Sequence, residues 1–123
     1  MLQRRAINRS AVVVAVVLLL AGCSGAPSSA VVGRWGSTAS AQPNLHIQSD
    51  GTFSGSDGCN TLTGKGTIEG DTISFGTIAS TLKACSGVHT WLGKAVTGKA
   101  NGDTLTVMND GGSTIGTLKR SGS

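Results

Sequence analysis

The chain has 123 residues, a formal net charge of +4, two Trp, two Phe, no Tyr and three cysteines. Three of its ten cations, Arg4, Arg5 and Arg9, fall at the very start, leaving seven basic against six acidic residues for the rest, about +1. That balance excludes the basic face a nucleic acid requires, and so few aromatic residues cannot supply both a core and an exposed stacking platform.

Behind those arginines runs AVVVAVVLLLA, Ala11 to Ala21, which ends in LAGC, Leu20 to Cys23. The run is shorter than the roughly 20 apolar residues that span a bilayer as a helix. A basic n-region, an apolar h-region and a small-residue cleavage site in that order read as an export signal over residues 1–22. LAGC resembles the lipobox of bacterial lipoproteins, in which the thiol receives a diacylglyceryl group and cleavage precedes the cysteine. The resemblance implies a lipid anchor of palmitate type on Cys23, at the extracytoplasmic face of a cell-envelope membrane. Two or more acyl chains, at about 0.8 kcal/mol per buried methylene, hold a protein firmly. An ordinary secretory signal with an incidental Cys23, or an uncleaved anchor, is the alternative. Residues 23–30 then form the lipidated cysteine and a flexible tether, SGAPSSA, whose seven residues reach at most about 25 Å. The folded domain is expected over residues 31–120, with 121–123 as a tail.

From Cys23 onward there are 101 residues, of which eighteen are Leu, Ile, Val or Phe. With almost no net charge this composition predicts a small core rather than disorder, and a domain of this size gains from a covalent staple. Short β-prone runs follow one another between glycine turns. Asn44 to Gln48 alternates, meets Asp50-Gly51 and resumes as Thr52-Phe53-Ser54. GTIEGDTISFGTI, with Glu69-Gly70-Asp71 at its first turn, reads as a hairpin. Asn101-Gly102-Asp103 before TLTVM and Asn109-Asp110-Gly111-Gly112 before STIGTLKR repeat the cue. One segment departs from this grammar. Val88, Trp91, Leu92, Ala95 and Val96 fall at helical spacing, with Ser86 as a cap, Lys94 in the last turn and Gly98 as the stop; Gly93 weakens it. An amphipathic helix covering an open end or face of the sheet is expected there, or else one that binds a partner. The fold class is therefore mainly β (β-rich α+β): an antiparallel meander of seven or eight short strands curled toward a small barrel, with one short helix.

With Cys23 committed to lipid, Cys59 and Cys85 remain in a compartment where disulfides persist. Their pairing is expected and would close a loop of about 26 residues, worth on the order of 3.5 kcal/mol in the chain-entropy model. Two buried free thiols are one alternative. A zinc site with His46 and His89 is another, and it lacks the short paired ligand spacing of structural zinc.

Gly33-Arg34-Trp35, SDGTFSGSDGCNTLTGKG from Ser49 to Gly66 and ASTLKAC from Ala79 to Cys85 resemble, in this order, the motifs of the META domain, the HslJ-like module of small bacterial envelope lipoproteins. The resemblance runs from about Val31 to Arg120. It implies a compact β-rich fold with a helix, an envelope location, and links to stress or drug tolerance and secretion; it implies no enzyme. Thr61 and Leu82-Lys83 stand where the family often has Arg and Arg-Met, and Gly87-Val88-His89 replaces acidic residues at the helix start, so no charged site is carried over.

Catalytic constellations are not found. Gly58 to Lys65 and Gly87 to Lys94 each put five residues before the Gly-Lys pair where a phosphate loop needs four, and neither continues with Ser or Thr. No G-x-S-x-G elbow occurs. DGTFSGSDG departs from a calcium loop. Asp50, Asp57, Asp71, Asp103 and Asp110 lie beside turn residues, where they are expected to satisfy backbone amides. The expectation is a non-catalytic, cofactor-free monomer, tethered to a membrane through Cys23 and acting through an envelope protein partner or in support of the envelope. The alternative is a barrel that holds a small apolar ligand or lipid in its mouth.

Overall fold

The computed structural model describes residues 29–122, so Cys23 and the signal segment lie outside the described residues. Ten strands occur in that range: β1 (Gly33–Gly36), β2 (Pro43–Ile47), β3 (Thr52–Asp57), β4 (Thr61–Lys65), β5 (Thr67–Glu69), β6 (Thr72–Ser74), β7 (Ile78–Ser80), β8 (Thr97–Asn101), β9 (Thr104–Met108) and β10 (Thr114–Gly122). All pairings are antiparallel. They form one curled sheet in the order β5-β6-β8-β9-β10-β1-β2-β3-β4-β7. The expected β-rich, barrel-like class is what the chain adopts. It is not a simple meander, because β1 is inserted between β10 and β2, and β7 returns to pair with β4.

Two strands turn the corners of the curl. β10 pairs with β9 through Thr114 to Lys119 and with β1 through Arg120 and Gly122, with a register shift in each pairing. β4 and β5 stand near opposite ends of the sheet order yet are separated in the chain by Gly66 alone. A corner strand must bend sharply, and glycine permits it here: a Cβ on Gly66 would lie 2.4 Å from the Ser74 carbonyl oxygen, and one on Gly51 2.2 Å from the Gly66 oxygen. The four anticipated turns each join the strands they were expected to join, with Gly51, Gly70, Gly102 and Gly112 at positive φ.

Alternation fills the interior. Trp35, Leu45, Ile47, Phe53, Leu62, Ile73, Phe75, Leu105, Val107 and Leu118 are buried. Phe53 and Phe75 meet edge to face at 5.1 Å and 81°, a geometry worth about 0.5–1.5 kcal/mol beyond area. Gly98 leaves the space that Ile73, Phe75 and Leu105 occupy, each 3.3 Å from where its Cβ would be.

The expected α-helix is not formed. Between Cys85 and β8 the chain makes only a 3-10 turn, Trp91–Lys94. The sheet takes the remaining residues: Val96 N–H donates to Met108, and Val96 C=O accepts from Phe75 N–H. Its apolar residues nonetheless act as a stopper, as expected of the helix. Leu92 and Ala95 enter the core, and the Trp91 ring lies flat against Gly116, where a Cβ would come within 2.6 Å of it. Val96 does not join them and is 38% exposed. At the other terminus β10 continues to Gly122, which pairs with Arg34, so the domain extends past Arg120 into the expected tail.

Candidate functional site

The turn between β3 and β4 is built on Asp57, a residue only 3% exposed. Its Oδ1 accepts the backbone N–H groups of Cys59 (2.9 Å) and Asn60 (2.6 Å), and its own N–H donates to the Asn60 carbonyl. Gly58 takes φ +98° between them, and a Cβ there would sit 2.8 Å from the Ala41 oxygen and 3.1 Å from Val88. A side chain of the common kind fits neither the φ nor the space, which is why Gly precedes the cysteine.

This turn grips the segment that follows β7. Cys59 is bonded to Cys85, 26 residues on, with Cα atoms 5.9 Å apart. The pairing expected of these two cysteines is thus present, and with both sulfurs in one bond neither offers a thiolate to zinc. Beside it, the Asn60 amide holds the same segment a second time. Oδ1 accepts from Lys83 N–H (2.6 Å) and from the Thr81 hydroxyl (2.9 Å), while Nδ2 donates to the Lys83 carbonyl (3.2 Å). The Thr81 Oγ1 in turn accepts Thr61 N–H. Asn60 is buried, and from there its amide ties down Thr81 and Lys83, which are exposed. Local sequence assigns this residue no role beyond its place directly after the cysteine.

The clamp displays what lies between its fixed points. Leu82, flanked by the held residues Thr81 and Lys83, is 96% exposed, and Lys83 and His89 are also exposed. An apolar side chain standing fully in water on a covalently braced segment is the most unusual surface feature of the described residues. His46 lies half-buried on β2 and pairs with Arg34 and Ser54, away from His89 on the exposed loop.

The other acidic residues divide. Asp50 accepts Thr52 N–H at 2.9 Å, and that bond, reinforced by the Thr52 hydroxyl, holds its carboxyl below the usual range. Asp71 accepts the Thr72 hydroxyl, and Asp103 lies 3.8 Å from Arg120, so neither serves as the amide cap expected of it. Arg120 is a second residue the sequence left unremarked. Its guanidinium stacks 4.1 Å from the centre of the Trp35 ring and donates to the carbonyls of Val32 and Ala30. The Trp35 indole N–H holds the Val31 carbonyl between them. The root of the tether is thereby fixed to the domain.

A surface groove of about 280 Å³ opens elsewhere, lined by Gly36, Ser37, Gln42, Pro43, Thr117, Leu118 and Lys119. It is open to solvent and of mixed polar and apolar lining, whereas the interior of the curl is occupied by Trp35, Phe53, Phe75 and their neighbours. An apolar ligand inside the curl would have to displace those side chains.

The chain matches no curated protein and no solved structure. The family model of the META domain matches residues 20–122, a span that includes every strand and both cysteines of the staple. The Gly-Cys-Asn turn, the second cysteine it holds and the curled β-sheet around them are thus features of a chain that belongs to the META domain family.

Proposed function

We propose that this chain is a non-catalytic lipoprotein of the bacterial cell envelope, anchored through acylated Cys23 to the outer face of a membrane and working through contacts with another envelope protein. In this reading it supports the envelope under stress. The Cys59–Cys85 bond is the observation that carries it, because such bonds persist in extracytoplasmic compartments and are rare in a reducing cytosol. Exposed Leu82 on a doubly held segment supports a contact role. Both inner thiols are consumed in the bond and the buried carboxylate of Asp57 is spent on backbone amides, which favours binding over chemistry.

The anchor is tested by fractionating cells that express the wild type or Cys23→Ser. The wild type is expected in the membrane fraction and in the detergent phase, the variant in the aqueous phase with its disulfide intact. A wild type that is soluble, or a variant that stays with membranes, would remove the anchor from the account.

A further inference from the structure

The two terminal strands of the sheet order differ in chemistry. β5 is flanked by Lys65 and carries Glu69, charges of the kind that discourage another strand from adding. β7 has none: Thr72 to Leu82 contains no charged residue and no proline. Its pairing with β4 uses one side only. Thr81 N–H donates to the Thr61 carbonyl at 3.2 Å, and by the two-residue alternation of an antiparallel strand Ala79, opposite Thr63, also directs its backbone groups to β4. Ile78 and Ser80 therefore direct theirs outward. Immediately beyond them stand exposed Leu82 and Lys83 on the clamped segment.

Charge identifies the occupant. The exposed cation beside this edge is Lys83, no Asp or Glu occurs from residue 72 to 102, and the carboxylate nearest the clamp in the chain, Asp57, is buried and engaged. Register gives the direction of approach. Gly33, Ile47, Phe53, Gly64 and Ile78 pair in succession along one rim, and Gly36, Asn44, Ser56 and Thr61 along the opposite one. The tether root enters at the first rim and the clamp closes the second.

We propose that the free edge of β7, with Leu82 and Lys83, is a docking site for an extended, carboxylate-bearing segment of another extracytoplasmic protein, which adds to the sheet as a further strand. The backbone of Ile78 and Ser80 would supply the ladder, Leu82 the apolar contact and Lys83 the preference for acid. The site runs from Ile78, on the rim where the chain enters the sheet, to Leu82 and Lys83 beyond the opposite rim, so a docked strand would lie along the side of the sheet; that the partner is extracytoplasmic rests on the proposed anchor.

The test pans random linear peptides displayed on phage against the full chain in mild detergent, then measures the selected peptides against variants. Selected peptides are expected to alternate apolar residues with Asp or Glu. Ser80→Pro removes an outward N–H without touching the β4 ladder and is expected to weaken binding about tenfold, the scale of a lost hydrogen bond plus a steric block. Lys83→Glu is expected to weaken it as much and to shift selection to basic peptides; this exposed side chain keeps the test decisive should Ser80→Pro fold poorly. Peptides without acidic bias, or peptides that bind both variants as tightly as the wild type, would overturn the proposal. So would a wild-type dimer that Ser80→Pro dissociates, since that places a second copy on the edge. Acylation of Cys23 is read by mass in the same preparation, so failure of the anchor is scored separately from failure of the edge.

Discussion

Asn60 concentrates more structural consequence than any other polar side chain in the domain. Its three bonds reach from a buried position to Thr81 and Lys83 on the exposed segment, so truncation frees that segment while its partner groups rehydrate. Asn60→Ala is expected to lower stability by about 1–2 kcal/mol, read as a drop in the urea midpoint, and to speed amide exchange at Lys83 while β8 and β9 keep their protection. Asp50 makes a smaller, pH-dependent contribution. The Thr52 N–H depresses its folded-state pKa below 3.8, so its stabilisation is fully present above that value and is lost as pH falls through the depressed one. In a melting series between pH 6 and pH 2, the wild type is expected to lose its advantage over Asp50→Ala at the acid end; an advantage unchanged by acid would contradict the role of this bond.

At the level of elements, the stopper and the staple are separable. Trp91 packs where Gly116 has no side chain, and a Cβ 2.6 Å from the ring forces the ring outward. Gly116→Ala is expected to cost about 1–3 kcal/mol and to red-shift the Trp91 emission, because a half-buried indole becomes solvated. Replacing Cys59 and Cys85 by Ser is expected to remove about 3.5 kcal/mol through the 26-residue loop they close, a loss visible in the thermal midpoint. The hairpins were legible in the sequence because Asp50-Gly51, Glu69-Gly70-Asp71, Asn101-Gly102-Asp103 and Asn109 to Gly112 announce themselves by local turn chemistry. The helix was misread for a reason of the opposite kind. Spacing over Val88 to Val96 reports only which residues seek a core, and here non-local bonds from Val96 to Phe75 and Met108 override it. The pairing of β7 with β4 and of β1 with β10 is non-local too, and no local pattern encodes it. At the candidate site the cysteine pair was readable from the count of three, whereas Asn60 and Arg120 act through partners more than twenty and about ninety residues away.

For the whole molecule these parts make a braced domain whose first residues are fixed to the sheet. Arg120 and the Trp35 indole bind the carbonyls of Ala30, Val31 and Val32, so the chain is held to the domain from Ala30 onward, and on the proposed reading the seven residues back to Cys23 set a reach of at most about 25 Å. The clamp closes the far rim of the sheet and carries an exposed leucine between two held neighbours. On the proposed reading the three cysteines serve two different chemistries, a covalent staple inside and an acyl group outside, and both are read in one experiment. The intact mass of the chain purified from membranes of its own host is measured after treatment with an alkylating reagent, with and without prior reduction. The expected result is a species beginning at Cys23 with added acyl mass, unlabelled before reduction and labelled twice after it. A species that keeps residues 1–22, lacks acyl mass, or takes label at Cys59 and Cys85 without reduction would contradict the account.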